Sequence, residues 1–476
     1  MARKKVRKAG GRAQAQRQAV QRQQAKRQQM QRQQMSGKQV ERQQIERERA
    51  KRQQEGQRRE QLLMQQRQEM QERQEMLRRQ QMQMRGEPEQ EGERRKKKAR
   101  RFYDYDLLVV IIFLTAFGLI MIYSSSAYNA QVSGQPSTYY MIRQGGIAVV
   151  GFIMMLIISK IDYHFFAKFA VPAVVVSYIC EFLVTFTPLG IAVNGKKRWL
   201  GTRSLRFQPA ELVKIVMILF LAVVITRLGK RINEWRVWGM LAVLLGPLAL
   251  FVMLNNLSSG IIICGIAFVM MFVACKRKWP FILVVAGLIV VIVFAPPVAI
   301  AMEKAGILHS YQLSRILVWK NPEAYPKSGG YQVLQGLYAI GSGGLLGKGL
   351  GQSIQKLSFL PEPQNDMIFA IICEELGLVG AIIMFLMFGY LLYQMFIVVR
   401  ESKNLYGSVV VIGVMLHIIF QIIVNVCVAV NFFPNTGVSL PFISSGGSAI
   451  LCTMIEIGLV LGIRRQQCNR KYSRIN

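Results

Sequence analysis

Apolar runs of membrane-spanning length recur between residues 107 and 463, and they constrain the fold more tightly than any other feature of the chain. In hydrocarbon every backbone N–H and C=O must be satisfied internally, so runs of this length fold as helices. Ten are read: Leu107–Ala127, Met141–Ser159, Phe169–Phe186, Pro209–Thr226, Val237–Leu254, Leu257–Cys275, Trp279–Ile300, Ile368–Val399, Ser408–Val430 and Leu440–Ile463. The expectation is an all-α polytopic membrane protein of about ten transmembrane helices, with a large extracellular loop between the seventh and eighth. The eighth run exceeds the length a span needs, so its start is expected in the interface or tilted. No short basic region with an apolar core precedes the spans, so no signal peptide is expected. The cysteines lie mostly inside the runs and show no metal-ligand spacing, which argues against a disulfide framework or a zinc site.

Residues 1–101 differ in kind. They are low-complexity Gln, Arg, Glu and Met, with an Arg-Gln-Gln unit starting at Arg22, Arg27, Arg32, Arg42 and Arg52. Spacings of five and ten do not build one helix face, and too little apolar surface exists for a core. The expected organisation is a basic cytoplasmic tail over 1–101, a transmembrane domain over 102–465, and a cytoplasmic C-terminal tail over 466–476. The net charge is +34, with a surplus of about +18 in the first hundred residues. In a membrane protein such a balance points to anionic lipid head groups, and no folded nucleic-acid module is present to suggest another partner.

Charge also sets orientation. The dense basic cluster Arg94–Arg101 before the first span, and Arg464, Arg465, Arg470, Lys471 and Arg474 after the last, place both termini in the cytoplasm. Two outer loops break the rule. Asn194–Arg206 holds Lys196, Lys197, Arg198, Arg203 and Arg206, and Ala301–Asp366 holds Lys304, Arg315, Lys320, Lys327, Lys348 and Lys356. An anionic substrate on that face explains both loops; translocation regardless of charge explains the long one alone.

Four stretches carry chemistry. Asn194-Gly-Lys-Lys-Arg-Trp199 leads into Gln208, Pro209, Ala210, Glu211 and Lys214. Arg198 offers a planar fork for phosphate oxygens, while Glu211 and Lys214, three apart, can pair at the membrane edge. The glycine-dense run Gly341–Gly351 lacks the pattern of a phosphate-binding loop and is expected to let the backbone pack closely or bend near a ligand. Leu360–Ala370 passes from polar loop to apolar helix and brings Glu362 and Asp366, followed by Glu374 and Glu375, to the bilayer surface. Partial burial there would raise a carboxylate toward general-base values. Finally, Asn435–Ser448, with Pro441, Ser444, Ser445 and Gly446–Gly447, breaks a helix entry at a depth where freed backbone must line a cavity or a packing kink.

Taken in order, these motifs resemble the SEDS family of bacterial peptidoglycan polymerases, over roughly Asp106–Ile463. The resemblance rests on Asn194, Gly195, Arg198 and Trp199 with Gln208–Glu211 and Lys214. It continues through Leu360–Glu362, Asp366, Ile368–Ala370 and Glu374–Gly377 to Thr436, Gly437, Leu440–Phe442, Ser444 and Gly446–Ser448. Leu360-Pro-Glu-Pro-Gln364 is closer to the FtsW and sporulation branch than to RodA. The family's essential loop aspartate falls on Asp366. There are departures: Asn365 and Met367 flank Asp366 where Thr and Phe are usual. Asn255-Asn-Leu-Ser-Ser259 replaces Pro-Asp-Leu-Gly-Thr, and Ser445 replaces a common Tyr.

The resemblance implies polymerisation of lipid II into glycan strands during cell division. It also implies a class B penicillin-binding transpeptidase and divisome proteins as partners, and a bacterial cell membrane location at the septum. Asp366 would be the base, with Arg198, Glu211, Lys214, Arg315, Lys356, Glu362 and Ser444 as substrate-binding candidates. A divalent cation could assist with the diphosphate, although no ligand cage demands one. The rival readings are a lipid II flippase, with Glu211, Lys214, Gln421 and Asn425 lining a polar path, and a division scaffold.

Overall fold

In the computed structural model the described residues are 26, 30, 64, 70–76, 105–193, 196–201, 206–304 and 311–473. Asn194, Gly195, Arg203 and Arg474, and most of the basic tail, lie outside them. The chain divides into two units, Met1–Lys96 and Lys97–Asn476. In the first, the described residues are helical and exposed.

The second unit is built on α1 (Tyr105–Val132), α2 (Tyr139–Lys160), α3 (Tyr163–Phe186), β1 (Gly190–Val193), β2 (Lys196–Gly201), β3 (Arg206–Phe207), α4 (Pro209–Leu228), α5 (Trp235–Asn255), α6 (Leu257–Ala274) and α7 (Trp279–Lys304). It continues with α8 (Tyr311–Lys320), α9 (Gly330–Gly343), α10 (Ile368–Glu401), α11 (Leu405–Ala429) and α12 (Gly447–Ser473). Among the described residues nine of these helices are long and apolar enough to cross a membrane, and α7 holds a shorter apolar stretch, Trp279–Phe294. The chain is a multi-pass membrane protein.

Helix starts follow local chemistry. Asp162 caps α3 by accepting from His164 N at 2.9 Å, Asn256 caps α6, and Pro209 opens α4 where a missing N–H costs nothing. Position in the bundle follows the sidedness of each helix. Nearly every side chain of α4 from Val213 to Ile225 is buried, which makes it the central helix. On α2 one face buries Ala148, Gly151, Met155 and Ser159, while Val149, Ile153 and Ile157 point outward to lipid. The buried face of α2 meets α12 closely because Gly458 and Gly462 let backbones approach. The side chains of α7 from Ile282 to Phe294 are exposed, as a lipid-facing helix requires.

Three sequence expectations are corrected. The basic loop before α4 is a three-stranded antiparallel sheet, β1–β2–β3, with Ile191 opposite Trp199 and Leu200 opposite Phe207. The last helix begins at Gly447 rather than Leu440, because Pro441 and the positive φ of Phe442 (62°) keep that segment non-helical. It also runs on to Ser473, into residues expected as tail.

The glycine-dense run is a packing device. Gly377 interrupts α10 with φ 66° and ψ −163°, freeing backbone groups there. The run pairs with that break: Lys348 N and Gly349 N donate to the Glu374 and Glu375 carbonyls at 2.9 Å, and Leu378 N donates to Gly344 O at 3.0 Å. A Cβ on Gly343 would overlap the Cys373 carbonyl, and one on Gly347 the Glu375 carbonyl. Only glycine lets the two backbones come this close.

Candidate active site

Asp366 sits two residues before α10, in the loop that follows the glycine-dense run. Gln332 on α9 donates from Nε2 to Asp366 Oδ1 at 3.4 Å, and Gln332 Oε1 accepts from Asn435 Nδ2 at 2.9 Å. Below it, Asn425 Nδ2 donates to the backbone carbonyls of Asp366 (2.9 Å) and Val438 (2.7 Å). One amide therefore ties the Asp366 loop to the Asn435–Ser448 segment. Gly437 closes that junction with φ 68°; a Cβ there would stand 3.6 Å from Asp366 Oδ2. Ser445 N also donates to Gln364 O at 2.9 Å. The carboxylate is thus held at a seam between two loops.

Its electrostatics suit a base. Burial pushes the Asp366 carboxyl up to about 6, and the neighbouring Glu362 carboxylate pushes the same way. Its own backbone N–H, the Arg315 charge and the Gln332 hydrogen bond offset part of that rise. Glu362 is exposed, adopts φ 47°, and accepts from Asn365 Nδ2 at 2.9 Å, so the loop's own turn aims it. Arg315 lies half-buried on α8, which Trp319 anchors through Nε1 to Asn431 O at 3.2 Å. The structure therefore gathers Asp366, Glu362 and Arg315 within electrostatic reach of one another.

The other sequence candidates fall elsewhere. Lys356 is buried and donates to Glu375 Oε1 at 2.8 Å and to Ser124 Oγ at 3.2 Å. Glu374 is likewise engaged by Lys348 at 2.7 Å and by Ser353. These two ion pairs fasten the glycine-dense loop onto α10. Ser444 is buried and accepts from Leu440 N at 2.8 Å, closing its own turn. Glu211 and Lys214 pair at 2.8 Å in the interior, with both side chains under 8% exposed. Arg198, half-buried on β2, donates from Nε to Asn255 O at 3.1 Å, leaving the far end of the guanidinium for other acceptors. The Asn435–Ser448 segment joins the two groups: its Gly437 touches Asp366, and its Ser448 accepts from Gln208 N at 3.2 Å, next to α4.

Sequence reading did not assign a role to Gln332, nor the Asp366 contact to Asn425. A glutamine between Tyr331 and Val333 on a short loop helix carries little signal, whereas an asparagine inside an apolar span does. Among the described residues no three His, Cys, Asp or Glu side chains converge as a metal site.

The family model described as "Cell cycle protein", covering FtsW, RodA and SpoVE, matches residues 105–469. The chain belongs to this family. It is 34% identical over 368 residues to Stage V sporulation protein E of Bacillus subtilis, covering 76% of this chain and 97% of that one. It is 32% identical to a probable peptidoglycan glycosyltransferase FtsW of Trichlorobacter lovleyi, covering 76% and 93%. Among solved structures it resembles a chain of a peptidoglycan synthase complex that coordinates polymerization and crosslinking. That match has 25% identity and a TM-score of 0.62, covering 77% of this chain and 98% of that chain. It shares its fold with the rod shape determining protein RodA of Thermus thermophilus, at 23% identity and a TM-score of 0.55, covering 77% and 97%. SEDS membership, expected from the motifs, is thereby established.

Proposed function

We infer that the protein is a peptidoglycan glycosyltransferase that polymerises lipid II into glycan strands for division. The observation that carries the mechanism is Asp366: a carboxylate at a loop seam at one end of the bundle, raised to about 6 and held by Gln332. Asp366 takes the proton of the acceptor sugar hydroxyl as that oxygen attacks the donor's anomeric carbon. The bond to undecaprenyl diphosphate breaks with inversion, and the departing diphosphate gains negative charge. Arg315 and Arg198 supply the cations that meet it in this reading. Lys356 and Lys214 are committed to Glu375 and Glu211 and serve the architecture that holds the loops. A divalent cation, where used, would ride on the diphosphate.

The packing favours polymerisation over translocation. Glu211, Lys214, Gln421 and Asn425, the side chains a flipping path would use, are each at most 5% exposed. The synthase-complex relative supports a class B penicillin-binding transpeptidase as partner, and the basic termini support a cytoplasmic location for both ends. The test is lipid II polymerisation by the purified protein, alone and with its cognate transpeptidase. Wild type should yield glycan strands. Asp366→Ala should yield none while inserting normally; strands from Asp366→Ala would remove Asp366 from the role of base. Lipid II crossing liposomes without polymerising would favour the flippase.

A further inference from the structure

Away from the Asp366 seam, α4, α5, α6 and the first turns of α7 enclose an apolar cavity of about 310 Å³, the size of a small-ligand site. Small side chains create it. Ala242, Gly246 and Ala249 share one face of α5, at spacings of four and three, and Cys264 and Ala267 line it from α6. A Cβ on Gly246 would meet nothing within 4 Å. The helix α7 leaves this gap unfilled. Pro280 and Phe281 are buried, but every large apolar side chain from Ile282 to Phe294 is at least 44% exposed. A helix packed on one side buries one face, as α2 does, so α7 stands clear of its neighbours beyond Phe281. The cavity therefore opens sideways toward lipid.

One end of the cavity is chemically marked. The helix α4 runs from Pro209, beside the loop seam, to Leu228, and Trp238, Pro280 and Phe281 line the cavity at that far end. The two loops there expose Lys230, Arg231, Arg236, Lys276 and Arg277 against a single carboxylate, Glu234. None of these five cations makes an ion pair among the described residues. Lys278, by contrast, is engaged by its own chain: Nζ donates to Phe272 O and lies 4.3 Å over the Phe272 ring. The loops are fastened together at the cavity's end. Lys276 N donates to Asn233 Oδ1 at 2.7 Å, and Trp238 Nε1 donates to Ile232 O at 2.8 Å. Trp235 and Trp279 meet edge-on at 5.7 Å, both exposed, as tryptophans at a membrane–water boundary are. An apolar gap open to lipid takes a hydrocarbon chain, and a cluster of unpaired cations at the boundary takes an anionic headgroup. We propose that this cavity binds one anionic glycerophospholipid from the leaflet opposite Asp366. One acyl chain lies between α5, α6 and α7, and Lys230, Arg231, Arg236, Lys276 and Arg277 hold the headgroup phosphate. The chain supplies the packing that α7 lacks and so steadies that helix against the bundle. A polyprenyl diphosphate with its head at Asp366 would leave these cations unmatched.

The test uses the full-length protein, stripped of lipid in mild detergent. It is titrated with phosphatidylglycerol or phosphatidylcholine of the same acyl chains, with binding read by native mass spectrometry and stability by melting. Wild type should take up one phosphatidylglycerol at least about fivefold more tightly than phosphatidylcholine, and should melt higher with it. Arg231→Gln, Lys276→Gln and Arg277→Gln together change exposed side chains only, so the fold should stand while the two lipids come within about twofold of each other. Ala242→Leu with Gly246→Leu fills the gap and should weaken both lipids at least about fivefold. Equal affinity for the two lipids in wild type, a preference that survives the charge change, or uptake unaffected by filling the gap would each overturn the proposal. Displacement of phosphatidylglycerol by equimolar undecaprenyl phosphate would also overturn it, by making the cavity a polyprenyl site. Lipid uptake does not depend on the reaction, so these results stand apart from the polymerase reading.

Discussion

Replacing Asp366 with Asn should stabilise the fold while abolishing its chemistry. The carboxyl stands at about 6 in the folded protein against an ordinary 3.8. The native state therefore holds this proton more tightly than the unfolded chain, and the ionised form is the costly one. Each tenfold change in proton affinity is 1.36 kcal/mol, so the full cost of ionising Asp366 in place is about 3 kcal/mol. Its side chain is partly reached by solvent, which reduces that to about 1–2 kcal/mol. Asn keeps the shape and the hydrogen bond from Gln332 but never ionises. At pH 7–8, Asp366→Asn should therefore melt above wild type by roughly 1–3 °C. The sign fixes the pH window. Wild type gains stability as pH falls from about 6 toward 3.8, where the unfolded chain also takes up the proton, so the difference should shrink to a small fraction of its pH 8 value near pH 4. The assay is melting of both proteins in the same detergent from pH 4 to 8. A variant less stable than wild type at pH 8, or an advantage that does not shrink in acid, would refute the assignment of a buried, raised carboxyl.

Other consequences are equally specific. Lys356→Met leaves Glu375 charged and buried without its cation, so it should destabilise by about 3–5 kcal/mol, and adding Glu375→Gln should recover much of that in melting experiments. Arg198→Ala should instead leave melting nearly unchanged and lower the polymerisation rate, since only one backbone carbonyl loses a partner. Gly343→Ala should prevent the glycine-dense run from pairing with α10, seen as loss of folded protein in detergent rather than altered kinetics. Asn425→Leu leaves two buried carbonyls unpartnered and should cost about 2–4 kcal/mol in stability together with most of the polymerisation rate.

The spans were legible because the bilayer forces one solution on any long apolar run, and the structure places a helix on each of the ten. Helix ends were less legible where tertiary contacts decide them. Leu440–Gly446 is apolar enough to continue a helix, yet the bond from Ser445 N to Gln364 O holds it in the loop seam. The sheet of β1, β2 and β3 escaped notice because its strands are short, and β2 and β3 carry charge without alternation. Glu374 and Glu375 read as carboxylates at the bilayer surface, and Lys348 and Lys356 as loop cations for an anionic substrate; only the fold shows that they pair with one another. The role of Gln332 arises from a contact across 34 positions of sequence, which no local pattern encodes.

The most direct measurement is the pH dependence of lipid II polymerisation by the wild-type protein. If Asp366 is the base, the rate should be level above about pH 7 and fall tenfold for each pH unit well below 6, while melting shows the protein still folded. A rate unchanged down to pH 5, where this carboxyl is about 90% protonated, would contradict the account.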